Sequence, residues 1–210
     1  MLSHSSAVFI ADSTGLDFLN SISTPVDVPV ETLEDGEGLL AWLDKAKLVP
    51  TKVLEHFRSH TVPGELDGVA AQARSLREWF RAFVLERKGR PLTGADLKAL
   101  EPLNRLLARE EDFKAVALSH EDDEGPFILE TNRRWRAPES LLLPLGESLA
   151  RLVCEESFAD VKACEGHDCT LIFVDHTRGR HRRWCSMAVC GNRAKQAAHR
   201  NRILSKAAGL

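Results

Sequence analysis

Apolar residues recur along most of the chain at intervals of three and four, the spacing of amphipathic helices. The clearest stretch carries Val69, Ala73, Leu76, Phe80, Phe83 and Val84 and predicts a helix from about Leu66 to Lys88, closed by Gly89 and Pro91. Leu39, Leu40, Leu43 and Ala46 share one side of a shorter helix over Glu37 to Leu48, which has to stop before Pro50. Thr51 suits the N-cap of a further short helix through Val53, Leu54 and Phe57. Thr93 opens another, carrying Leu97, Leu100, Leu103, Leu106 and Leu107, with Pro102 inside the pattern, so a kink or two shorter helices are expected. Leu142, Leu145, Leu149, Leu152 and Val153 continue the period across Glu139 to Glu155, with Pro144 near its start and Cys154 as a core thiol. Before all of these, residues 1–30 predict one helical turn at Leu16, Phe18, Leu19 and Ile22, then a loop punctuated by Pro25 and Pro29.

Strand signals are scarcer. Phe113 to Leu118 and Phe127 to Thr131 are short β-compatible runs joined by the turn-forming EDDEG, and form the only convincing hairpin. The pattern implies an α+β fold: a mostly helical N-terminal domain with a small β-hairpin over residues 1–158, and a compact appendage over 159–210.

Charge changes this picture at one end. The net charge of −3 hides a basic C-terminal quarter, ten Lys/Arg against four Asp/Glu from Asp160 to Leu210, on an acidic remainder. That quarter is where a polyanionic partner is expected. The longest apolar runs, near Leu141 and Leu171, fall well short of the roughly 18–20 residues of a membrane span, and MLSHSSAVFIADSTG lacks the pattern of a secretion signal. A cytoplasmic protein with no membrane segment is expected.

Four of the five cysteines crowd into the same quarter as C-x4-C, fifteen residues, C-x4-C: Cys164, Cys169, Cys185 and Cys190. In a reducing compartment this clustering favours metal ligands over disulfides, and two short-spaced pairs can grip two edges of a zinc tetrahedron. The segment between needs to fold back. Thr170 to Val174 is β-prone, Thr177 to Arg180 can turn, and His181 to Trp184 can return, which outlines a treble-clef-like finger with one structural zinc. A catalytic zinc would need an open coordination position and a placed base, and neither is evident. No catalytic residue is assigned and no enzyme activity is expected. His167, between the first two cysteines, reads as a solvated loop residue. Oxidation of a four-thiolate site is a further route, to redox or zinc-responsive control.

From Ala188 onward the composition favours helix. Lys195, His199, Arg202 and Lys206 fall on one face, Arg193 and Arg200 form an adjacent stripe, and Ala194, Ala197, Ala198 and Leu204 can cover the finger. Arg178, Arg180, Arg182 and Arg183 add cations upstream. Guanidinium groups bind phosphate oxygens in pairs, so Arg182, Arg183, Arg193, Lys195, His199, Arg200 and Arg202 are candidate nucleic-acid contacts, with DNA the leading partner. An acidic protein surface is the alternative.

The stretch FVDHTRGRHRRWCSMAVCGNRAKQAAHRNR closely resembles the CGNR zinc-finger family, whose tetrapeptide stands here as Cys190-Gly191-Asn192-Arg193. LDFLNSI and LLAWLDKAKLV resemble that family's N-terminal partner, the ABATE domain. The resemblance implies a stress-induced transcription regulator, a presumed DNA-binding finger, and metal-ligand roles for the same four cysteines. A regulator needs an input. Arg74, Arg77 and Arg81 fall on one stripe of the long helix, and with Trp79, Arg133, Arg134 and Trp135 they are candidates to line a pocket for an anionic small-molecule effector.

Overall fold

The structure, a computed structural model, describes residues 9–26, 28–119 and 125–207. Helix α1 (Thr14–Leu19) leads into a ribbon of β1 (Ile22–Val26) and β2 (Val28–Glu31). Helices α2 (Gly36–Lys45), α3 (Thr51–His60) and α4 (Glu65–Arg87) follow. A 3-10 turn at Gly94–Leu100 runs into α5 (Glu101–Leu107), and a second ribbon is built from β3 (Asp112–Leu118) and β4 (Phe127–Arg133). Helix α6 (Leu142–Glu155) precedes the short pair β5 (Val161–Ala163) and β6 (Ile172–Val174), and α7 (Asn192–Ala207) ends the described chain. Each pair of strands is antiparallel and forms a sheet of its own. No helix among the described residues is long and apolar enough to cross a membrane.

Helix α4, 23 residues and so about 35 Å long, is the spine. It buries Val69, Ala70, Ala73, Phe80, Phe83 and Val84 against α1, α2 and α6, and α5 packs on α6. The core is continuous from Ala11 through Trp42 and Phe80 to Phe158, Phe173 and the cysteines. Thr93 takes the expected N-cap position, and Asp96 completes a capping box with it. Pro102 sits in the first turn of α5, where its missing N–H costs no bond, so the kinked pattern resolves into a 3-10 turn and a separate helix. Likewise a 3-10 turn at Pro138–Leu141 precedes α6 and leaves Pro144 in that helix's first turn.

Four expectations are corrected. Pro25 and Pro29 lie within β1 and β2, because a two-stranded ribbon has open edges where a residue without an N–H breaks no ladder bond; the register shifts between Ser23 and Val26. Pro50 takes the N-cap position of α3, leaving Thr51 as its first residue, with the hydroxyl donating to Asp44. Cys154 is exposed, because it falls on the outer side of α6. The arginine stripe is engaged with the protein's own acceptors among the described residues. Arg77, only 2% exposed, grips Glu31 with two bonds of 2.7 and 2.6 Å and also reaches Ser21 and Glu78. Arg74 donates to the carbonyls of Leu33 and Glu34, and Arg81 to those of Leu19 and Thr170. Arg133 bridges Glu110 and Glu147 and lies over the half-buried Trp135, which packs on the core, as Trp79 does. An arginine stripe beside a core face meets backbone carbonyls and carboxylates before it meets ligand. Most of the EDDEG turn, and the first eight residues, lie outside the described residues.

The C-terminal strands dock directly on the helical body. Asn20, at the end of α1, exchanges two bonds with the backbone of Ile172, donating to its carbonyl at 2.7 Å and accepting from its N–H at 3.0 Å. The Val174 N–H donates to the Ala11 carbonyl, and the Thr24 N–H to the Thr170 hydroxyl.

Asp17 organises the entry to α1 by accepting from the N–H groups of Ile10 and Ala11, each at 3.0 Å. Burial raises its carboxyl to about 6, although those two N–H groups pull the other way. A carboxyl raised above its unfolded value, near 3.9, supports the fold fully below that pH and loses the support as pH climbs through about 6. Asp17→Asn is therefore expected to gain about 2 kcal/mol relative to wild type between pH 4 and pH 7 in urea melts. An unchanged difference across that range would place the Asp17 titration elsewhere.

Candidate metal centre and basic helix

Cys164 and Cys169 sit in the connection between β5 and β6, Cys185 follows a long loop, and Cys190 lies in a π turn at Met187–Gly191 that opens α7. These three segments bring the four sulfurs within 4.8 Å of one another. Cys169 to Cys185 is 3.8 Å and Cys185 to Cys190 is 3.6 Å. Thiolates about 2.3 Å from a central zinc would be about 3.8 Å apart, whereas a disulfide needs about 2.05 Å. The donor set therefore fits a tetrahedral, thiophilic divalent ion. Two backbone N–H groups, of Gly166 and Cys185, also point at the Cys164 sulfur, at 3.4 and 3.3 Å.

The electrostatics ask for a cation. A bond from Cys185 draws the Cys169 thiol down to about 5. Donation to Cys169, with burial, pushes Cys185 far up, and burial raises Cys190 to about 11. One thiolate forms readily and opposes the next. A divalent ion among the sulfurs removes that opposition, because it favours the deprotonated form of each ligand. His167 is exposed and paired with Asp168, away from a ligand role.

Two glycines make the knot possible. A Cβ on Gly166 would stand 3.0 Å from the Cys190 sulfur and 3.3 Å from the Cys169 Cβ. A Cβ on Gly191 would stand 2.7 Å from the Met187 sulfur, inside the π turn that the Gly191 N–H closes onto the Ser186 carbonyl.

The loop from Asp175 to Trp184 departs from expectation. Residues 181–184 form no strand, and β6 pairs backward with β5, so the first cysteine pair fills the hairpin connection. The loop is held instead by Asp175, fully buried, which accepts from Lys162 at 2.7 Å, from the Thr177 N–H and hydroxyl, and from the Arg182 N–H. These bonds outweigh burial and hold its carboxyl well below the usual range. The one signal in the sequence is an Asp two residues before a Thr, the makings of an Asx turn.

Arg182 is the main correction among the candidate nucleic-acid contacts. Its guanidinium donates to the carbonyls of Trp184, Cys185 and Ile10, pairs with Asp12, and lies 4.2 Å from the centre of the Phe173 ring. That set of bonds leaves it no free fork for phosphate. Arg183 pairs with Glu165 and lies over Trp184 but is itself exposed. Arg180 is bound to Asp160 and the Asp175 carbonyl.

On α7, Lys195, His199, Arg200 and Arg202 are exposed, and Arg193 is half-buried at the root of the helix. Asn192 donates back to the Ala188 carbonyl and so braces the first turn. Ala194 and Ala197 are half-buried, but Ala198 and Leu204 face solvent rather than cover the finger, because the helix runs out beyond the knot. The Lys206 side chain lies outside the described residues.

A family model for the ABATE domain, described as a putative stress-induced transcription regulator, matches residues 12–156. A second, for the CGNR zinc finger, matches residues 161–203. No curated protein matches the chain.

Zinc titrated into metal-free protein against a chromophoric chelator is expected to bind at one site per chain. Cys185→Ser should abolish tight binding, and Gly166→Ala should weaken it about tenfold or more by pressing on Cys190. Full affinity in both variants would separate these four sulfurs from the metal.

Proposed function

The chain belongs to the ABATE family and carries a CGNR zinc finger, and from that premise we propose that it is a non-enzymatic transcription regulator that binds DNA through α7. One structural zinc, held by Cys164, Cys169, Cys185 and Cys190, fixes the root of that helix. Four closed thiolate positions suit a structural ion and leave none for substrate. The helical body serves as the scaffold against which the finger is set.

A single observation carries this reading. The cations of the loop and of the body are largely engaged inside the protein, whereas Lys195, His199, Arg200 and Arg202 point outward from one projecting helix. Such a helix neutralises phosphates and releases their counterions. A protein-binding role for the same helix is favoured by its exposed Ile203 and Leu204, at 54% and 65%. Salt separates the two readings, since binding to phosphates weakens steeply as it rises and apolar binding does not.

Fluorescence anisotropy with a random duplex is expected to show binding that falls with salt. The triple change Lys195→Ala, Arg200→Ala, Arg202→Ala should lower the log–log salt slope by roughly 0.9 for each phosphate no longer neutralised, with zinc retained. No binding to duplex at low salt would end the DNA reading.

A further inference from the structure

The β3–β4 ribbon turns four large apolar side chains away from the protein. The strands are paired without interruption from Asp112↔Arg133 to Leu118↔Phe127, and neither joins another sheet. Residues two apart share a face, so Val116 opposite Leu129 and Leu118 opposite Phe127 make a two-by-two apolar grid. These side chains are 73%, 65%, 75% and 65% exposed in that order. The other face carries Phe113, 37% exposed, and the half-buried Ala115, Ala117, Ile128, Glu130 and Asn132. A ribbon with one solvated face normally turns polar residues outward, and the half of this one nearest its turn instead presents four large apolar ones.

The grid presents on the order of 500 Å² of apolar surface, the upper end of what a monomer leaves uncovered. We propose that this face is the interface of a homodimer, occupied by the same face of a second copy of the chain. The patch is complementary to itself. A two-fold axis between the two cross-strand pairs lays Val116 and Leu129 of one copy on Leu118 and Phe127 of the other. Burying both patches removes about 1,000 Å², the threshold for a specific interface. The antiparallel arrangement also turns Lys114, next to the grid on the same face, toward the far end of the partner's ribbon. The sequence joining the two strands there is acidic from Glu121 to Glu124. That acidity disfavours nucleic acid and anionic lipid as occupants of the patch.

Sedimentation velocity on the full chain, without DNA, tests this over a roughly hundredfold concentration range. A dimer is expected for wild type, and Leu118→Glu with Leu129→Glu should shift it to monomer by raising the dissociation constant at least about tenfold. Both positions are largely exposed, so circular dichroism should be unchanged, and melting should fall only by the stability that dimerisation adds to wild type; should that pair misfold, Leu129→Thr, compatible with a strand, should weaken the dimer in the same direction. A wild type that is monomeric throughout, or a dimer indifferent to folded variants, overturns the proposal. Because no DNA is present, either result is independent of what α7 binds.

Discussion

The guanidinium of Arg182 joins three parts of the chain that are far apart in sequence. It donates to Ile10 and pairs with Asp12 near the start, stacks on Phe173 of β6, and donates to the carbonyls of Trp184 and Cys185 at the second half of the sulfur knot. A planar group with five fixed donors can satisfy several carbonyls at once, which an ammonium cannot. Asp175 supplies the matching anchor by holding the backbone of the same residue. The sulfur knot, β6 and the helical body therefore share one joint, and the position of α7 relative to the body follows from it.

Much of this was legible in the sequence, for physical reasons that differ by element. Helix α4 was visible because a long amphipathic period sums many weak preferences, and the Thr93 cap because the cap and the turn it closes are adjacent in the chain. The four cysteines were visible because few other arrangements of thiols are tolerated so close together. Partners that pair across long separations were not. The β5–β6 pairing depends on Asn20 and Ala11, more than 140 residues upstream, and no local period encodes that. The arginine stripe was legible as a stripe, yet Arg74 and Arg81 meet carbonyls of α1 and of loops, which carry no side-chain signal, and Arg77 meets the carboxylate of Glu31, 46 residues away in the chain. Arg182 was misplaced for the same reason: a run of arginines reads as a surface until its backbone acceptors are known.

The division of charge takes on a clearer meaning in the structure. The acidic excess of the body does not simply repel a polyanion; many of its carboxylates hold arginines in place, as Glu31 holds Arg77 and as Glu110 and Glu147 hold Arg133. At Arg77, where the cation is buried, the attraction mostly repays desolvation and adds little net stability. Removing the Glu31 carboxylate would strand that cation. On α7, Lys195, His199, Arg200 and Arg202 are exposed and face no comparable set of acids among the described residues.

A finger fixed in this way behaves differently from one on a flexible tether. A tethered basic helix can meet a phosphate surface in any orientation, and the body then contributes only mass. Here the exchange between the Asn20 side chain and the Ile172 backbone and the bond from Val174 to Ala11 fix the finger against the body. Whatever α7 meets, the acidic body is carried to a fixed place beside it. For a polyanion this narrows the productive orientations to those that keep the body clear of the phosphates. In the proposed DNA-binding role, affinity from the helix and selectivity from the body would have separate physical origins, coupled by the joint at Arg182.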